Sequence, residues 1–142
     1  MVDVSGKEIT TRTARASGRF VTTAEVILLL RRKGLPKGDA LAVARIAGIA
    51  AAKRTSDLVP LCHPVALHGV SVDLELGEDC VYIEATTRTA DRTGVEMEAL
   101  TSVVTAGLAL YDMVKAVDRG AKLTDVQLVS KAGGRSGEWS RS

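Results

Sequence analysis

The stretch Val70-Ser71-Val72-Asp73-Leu74-Glu75-Leu76-Gly77-Glu78-Asp79-Cys80-Val81-Tyr82-Ile83-Glu84-Ala85-Thr86-Thr87 has the clearest period in the chain. Val70, Val72, Leu74 and Leu76 fall on one side of a period of two, and Ser71, Asp73 and Glu75 on the other. Gly77-Glu78-Asp79 supplies turn chemistry. Val81, Ile83, Ala85 and Thr87 then resume the same period. Side chains alternate across a strand, so this pattern predicts an antiparallel hairpin with one apolar face and one wet face.

Upstream of the hairpin, Thr55 to Pro64 is irregular and carries Pro60 and Pro64. Ala40 to Arg54 is rich in Ala with Leu, Val and Ile, which predicts a helix, and Gly48 within it predicts close packing against another backbone. Pro36-Lys37-Gly38-Asp39 is a turn that presents a lysine and an aspartate. A shorter helix is expected over Val26 to Lys33, opened by the capping-box spacing of Thr22 and Glu25 and stopped by Gly34. Ser17 to Val21 is expected to be extended. Downstream, Thr93-Gly94 opens a long helical stretch through Val117, ended near Gly120, and Leu123 to Lys131 reads as a last strand. The order β-α-α-β-β-α-β matches the split βαβ arrangement, so the fold class expected is α+β, ferredoxin-like, an antiparallel sheet with helices packed on one face. Residues 1–142 form one expected domain, with 1–12 and 134–142 expected to be flexible.

Composition narrows the function classes. The 142 residues carry 19 Lys+Arg against 17 Asp+Glu, a net charge of +2, too weak to argue for nucleic acid or an anionic membrane. Aromatic residues are only 3%, which disfavours a base-stacking surface. Two cysteines, Cys62 and Cys80, make no disulfide framework and point to a reducing, cytoplasmic compartment. No uninterrupted apolar run approaches the roughly 18 residues of a membrane span.

Several segments carry chemistry. In Leu58-Val59-Pro60-Leu61-Cys62-His63-Pro64 a histidine sits in a stiff connection, because the residue before each proline is driven to extended geometry. It reads either as an ordinary loop histidine or as a ligand contact or proton-transfer group. Cys62, His63 and His68 match no defensible zinc spacing, so no metal site is expected. Glu96 and Glu98 open the long helix. On a helix two positions diverge by about 200°, so either one alone faces a site or the segment is extended there. Asp112 and Lys115 share a helix face, as a surface ion pair or as an acid–base pair tuning each other. Lys37, Lys53, Arg54, Lys131 and Arg135 lie in loops or at element ends. With the Gly133-Gly134 backbone they are candidates for holding phosphate oxygens. Neither a Walker loop nor a GxGxxG is present.

The runs Lys37-Gly38-Asp39, Ala44-Arg45-Ile46-Ala47-Gly48-Ile49, Ala51-Ala52-Lys53-Arg54-Thr55 and Pro60-Leu61-Cys62-His63-Pro64 resemble the MoaC family, the cyclic pyranopterin monophosphate synthases of molybdenum cofactor biosynthesis. Arg92-Thr93-Gly94-Val95-Glu96-Met97-Glu98-Ala99-Leu100, Tyr111-Asp112-Met113 and Lys115-Ala116-Val117-Asp118 extend the resemblance over nearly the whole chain. It implies an enzyme, a lyase, that converts 3′,8-cyclised dihydro-GTP into cyclic pyranopterin monophosphate with release of pyrophosphate. It implies no cofactor. The substrate would come from a radical S-adenosylmethionine partner, MoaA, and the assembly would be a homohexamer, a trimer of dimers with sites between subunits. Carried over position by position, Asp112, Lys115 and Lys37 are the catalytic residues. Leu61, Cys62, His63, Glu96, Met97, Glu98 and Lys131 bind substrate. Val114, Ala132 and Gly69 depart from the cysteine, serine and lysine common in the family. The rival reading is a ferredoxin-like module that binds a small anion without turning it over.

Spacing adds an expectation of its own. Glu98 and Asp112 are fourteen positions apart on one predicted helix, roughly 21 Å along its axis and about 40° apart around it. One nucleotide-sized substrate cannot reach both on a single straight helix. A two-fold neighbour would bring the Glu98 end of one chain beside the Asp112 end of the other. Thr101, Ser102, Thr105, Ala106 and Gly107 midway are small enough to allow close approach of the helices.

Overall fold

The computed structural model describes residues 1–142. In chain order the elements are β1 (Thr10–Val21), α1 (Ala24–Arg31), α2 (Ala40–Ala52), α3 (Thr55–Leu58), β2 (Gly69–Leu76), β3 (Cys80–Asp91), α4 (Glu96–Val114), β4 (Lys122–Ala132) and β5 (Trp139–Ser140). The hairpin pairs as its period requires, with Val72 opposite Ala85 and Leu76 opposite Val81. The Gly77 N–H donates to the Cys80 carbonyl at 2.8 Å, leaving Glu78-Asp79 as a two-residue loop. A Cβ on Gly77 would stand 3.1 Å from the Cys80 sulfur, a tight approach that a glycine avoids.

The sheet order is β2-β3-β1-β4-β5, antiparallel throughout. Apart from β5, this is the ferredoxin-like order, with α4 crossing from β3 to β4 and the other three helices from β1 to β2. The helices cover one face. Ala14, Ala16, Phe20, Val81, Ile83 and Ala85 point from the sheet into a core completed by Val26, Val103, Ala106 and Leu110. Burying a side chain such as Phe20 stabilises by about 1.5–3 kcal/mol. Small residues set the spacing of the layers. A Cβ on Gly18 would come within 2.8 Å of Val103, and one on Gly48 within 3.0 Å of the Ser102 carbonyl. Gly48 therefore lets α2 lie directly against α4. That close contact answers the expectation from its position in an Ala-rich helix.

Some boundaries differ from the sequence reading. β1 begins at Thr10, inside the segment expected to be loose, because Thr10 to Ser17 pair with Glu84 to Asp91 of β3. The polar, Thr-rich composition there hid the strand. The tail carries β5, in which Trp139 pairs with Lys131. The cap of α1 is Thr23 rather than Thr22. The Val26 N–H donates to the Thr23 hydroxyl, and the Thr22 hydroxyl instead donates to Asp118 at 2.8 Å. The α1 terminus places its left-handed residue at Lys33, φ 55°, one position before the expected Gly34, whose N–H reaches back to the Leu29 carbonyl. The long helix runs from Glu96 to Val114, shorter at both ends than expected. It is long and apolar enough in composition to resemble a membrane span. One of its faces, however, packs into the core, and it carries Glu96, Glu98 and Asp112.

Candidate active site

Two clusters of candidate site residues lie at the two ends of α4. At its C-terminal end, Asp112 accepts from Lys37 and from Lys115, each at 2.9 Å. A carboxylate in the last helical turn faces the negative end of the helix dipole, and these two ammonium groups offset that cost. Hydrogen bonds from Lys37 and then Lys115 hold the Asp112 carboxyl down at about 2, and the same aspartate raises Lys115 above its ordinary value. All three side chains are about half exposed, so in a single chain the trio lies at the surface. Lys37 reaches Asp112 from the turn before α2, which Asp39 caps by accepting from the Ala42 N–H.

At the N-terminal end, Lys131 donates to Glu96 at 2.7 Å, with both side chains only about a quarter exposed. Burial opposes the Glu96 charge, but the Lys131 hydrogen bond, its own N–H and the nearby charges of Lys131 and Arg12 outweigh it, so its carboxyl lies below the ordinary value. The carboxylate folds back over Gly94, whose missing Cβ leaves the room it occupies. Glu98, two positions on, is 4% exposed and has no cation partner. Desolvation first, then the Glu96 charge, push its carboxyl above the ordinary range against its own N–H. α4 begins at Glu96, so the helical alternative holds for this pair, and the two carboxyls have different surroundings, Glu96 paired with Lys131 and Glu98 buried. Burial, followed by the Glu98 charge, raises the half-buried Cys62 thiol, which puts Cys62 on the Glu98 side. Leu61 and Met97 are exposed, at 69% and 38%. His63 contacts the Val2 carbonyl at 2.7 Å. His68 instead accepts from the Ala90 N–H, and Cys62, His63 and His68 do not gather into a metal-holding group.

Lys131 also lines a cleft of about 880 Å³ that runs past Glu96 to the turn Gly133-Gly134-Arg135. Both glycines have positive φ, 96° and 77°. A Cβ on Gly133 would collide with the Thr11 carbonyl, and one on Gly134 with the Arg12 guanidinium. The turn is thus pressed onto β1, which brings Arg12 and Lys7 to the cleft beside Lys131 and Arg135. These four cations outnumber the carboxylates Glu8 and Glu96 around the opening, a balance that suits a polyphosphate. Lys37, Lys53 and Arg54, grouped with Lys131 as phosphate candidates in the sequence reading, do not line it. Lys7 and Arg12 were missed because they lie in the polar segment read as loose. Lys7 precedes β1, and the Thr-rich start of β1 carries no apolar period that would have marked Arg12.

A family model matches residues 1–134 and is described as the MoaC family. The chain belongs to the MoaC family. A relative from Streptomyces coelicolor, named cyclic pyranopterin monophosphate synthase, is 63% identical over all of this chain and 84% of its own length. One from Mycobacterium tuberculosis, named cyclic pyranopterin monophosphate synthase 2, is 59% identical over 99% of this chain and 84% of its own. A third, from Thermomicrobium roseum and named like the first, is 55% identical over 99% and 86%. The three positions expected to depart from the family pattern fall in different settings. Val114 is buried in the core, Ala132 lines the cleft, and Gly69 begins the edge strand β2.

Proposed function

We propose that this chain is a cyclic pyranopterin monophosphate synthase, acting on 3′,8-cyclised dihydro-GTP supplied in the cytoplasm by a MoaA-type radical enzyme. The observation that carries this reading is 63% identity over the whole chain with a protein of that name. The site supports it. Lys131, Arg135, Arg12 and Lys7 are arranged to receive a triphosphate. In the phosphate step a ribose hydroxyl oxygen attacks the α-phosphorus and the bond to the β-phosphate breaks. The hydroxyl proton passes to a base, and the cleft cations neutralise the departing pyrophosphate. The ring rearrangement needs several proton transfers. Asp112, ionised between Lys37 and Lys115, and Glu98, whose environment favours its proton, offer the two opposite roles. Leu61, Cys62, His63 and Met97 are assigned to the ring side of the substrate on the family resemblance.

The catalytic trio and the cleft sit at opposite ends of α4, with Asp112 and the cleft residue Glu96 roughly 24 Å apart by helical rise. The site is therefore completed by a second copy, within a hexamer built as a trimer of dimers. The face of α4 available for this is Met97, Val104, Leu108 and Asp112, which are exposed along one stripe. Ser102, Ala106 and Gly107 face α2, β4 and the core and leave Thr101 and Thr105 as the small residues beside that stripe. Incubation with the cyclised dihydro-GTP and quantitation of pyrophosphate and pterin product tests the function. Stoichiometric release is expected. Tight binding without pyrophosphate would make the protein an anion-binding module.

A further inference from the structure

His63 is held by the segment Met1–Ser5. Its Nε2 lies 2.7 Å from the Val2 carbonyl oxygen. A carbonyl has no proton to give, so Nε2 is the donor whether the ring is neutral or charged. In the neutral ring the proton is then on Nε2 and the lone pair on Nδ1. We propose that the N-terminal arm, Met1–Ser5, is a positioning element of the active site that fixes His63 as the Nε2–H tautomer and confines its proton exchange to Nδ1. This rests on the reading of His63 as a substrate-site residue.

The arm has the local structure such a role needs. Asp3 accepts from the Ser5 N–H at 2.9 Å, and the Lys7 N–H returns to the Val4 carbonyl at 3.0 Å, closing two successive turns. These turns set the direction of the Val2 carbonyl. The Asp3 carboxyl lies below its ordinary value, through the Ser5 N–H, then the Ser5 hydroxyl, with the His63 ring adding to the effect. A cavity of about 510 Å³ separates the arm and His63-Pro64 from Asp91-Arg92-Thr93. The chain then continues directly into Gly6, Lys7 and Glu8, which line the polyphosphate cleft. One segment thus touches both the histidine and the anion site. His68 takes the same neutral tautomer by a different anchor, since its Nδ1 rather than its Nε2 is held, accepting from the Ala90 N–H at 3.3 Å.

Protein labelled with ¹⁵N-histidine reports this directly by two-bond proton–nitrogen correlation at about pH 8.5, well above the ordinary histidine pKa. A His63→Asn spectrum assigns the signals against His68. The expected result is a His63 ring with bare Nδ1 and a protonated Nε2 whose N–H is protected from exchange. Removing residues 1–3 is expected to abolish that protection and to lower kcat roughly three- to tenfold with KM unchanged, the scale of one neutral hydrogen bond. Asp3→Ala gives a milder version in an intact chain, and Asp3→Asn, which retains a carbonyl acceptor for the Ser5 N–H, restores both readouts. A protonated Nδ1 in the neutral wild type, or an Nε2–H exchanging equally fast with and without the arm, overturns the proposal. So does unchanged kcat in both the truncated protein and Asp3→Ala. A wild type with the protected N–H but no turnover would count against the synthase reading, not against the tautomer.

Discussion

The two ends of α4 hold carboxylates of opposite character. At the N-terminal end Glu98 is buried without a cation and its carboxyl is pushed up, while Glu96 beside it is claimed by Lys131. At the C-terminal end Asp112 is half exposed, yet it is the most strongly ionised group in the site because two lysines converge on it. Burial alone would rank these groups the other way in functional interest. What separates them is the partner set. One helix therefore carries a carboxyl shifted towards its protonated form and a carboxylate held ionised, about four turns apart. A helix is a rigid spacer, so the two functions meet only if another copy of the helix runs past in the opposite direction.

Breaking the anion end has the largest expected effect. Asp112→Asn removes the charge without removing bulk, and Lys115→Ala removes one of its partners. Both should lower single-turnover product formation by on the order of a hundredfold or more, the usual reach of acid–base catalysis. Circular dichroism should be unchanged, since both side chains are half exposed. Near-normal turnover in both would remove the acid–base assignment.

Next comes the joining of the two ends. Mixing inactive Glu98→Ala with inactive Asp112→Asn under subunit exchange should restore activity, to roughly a quarter of wild type for random dimers with one intact site in two. Verified mixed dimers that stay inactive would confine the site to one chain.

The lysines sharpen the contrast. Lys131→Ala should weaken binding of a non-reactive GTP-like ligand roughly ten- to a hundredfold, the loss of one charge-assisted contact in the cleft. Lys37→Ala should act mainly on turnover, because Lys37 faces Asp112 and not the cleft. Equal losses of affinity in both variants would dissolve the division between the ends.

The smallest effect is on stability. Glu98 has a folded-state pKa above its unfolded value, so ionisation is penalised in the fold. The penalty is absent at low pH, where both states hold the proton. It grows as pH rises from the unfolded value towards the folded one and is constant above that. Glu98→Gln should therefore raise Tm by a few degrees at pH 7 and leave it unchanged near pH 3. Asp112 has the opposite sign. Whatever its paired carboxylate adds is present above the unfolded pKa and is lost as pH falls towards about 2. An increase for Glu98→Gln that persists at pH 3 would assign it to packing.

The sequence determined most of the architecture by itself. The period of two in Val70 to Thr87, the Ala-rich run around Gly48 and the long apolar stretch after Gly94 each report a local preference, and local preferences are written in neighbouring residues. The i,i+3 spacing placed Asp112 beside Lys115 for the same reason. β1 was legible only from Ser17, because Thr10 to Arg15 carry few apolar residues and are held by pairing with β3 and β4. The cap of α1 passed from Thr22 to Thr23 because Asp118, 96 residues away, takes the Thr22 hydroxyl. The split of the lysines also lay outside sequence reach. Lys37 and Lys131 look alike as loop and strand-end cations, and only the tertiary structure sends one to Asp112 and the other to Glu96. Those contacts span 75 and 35 residues, and chain spacing carries no information about which distant surface a flexible side chain will meet. The cleft cations Lys7 and Arg12 depended on the same thing. They reach Lys131 because Gly133 and Gly134 let the last turn press onto β1, a contact between backbones that no periodicity reveals.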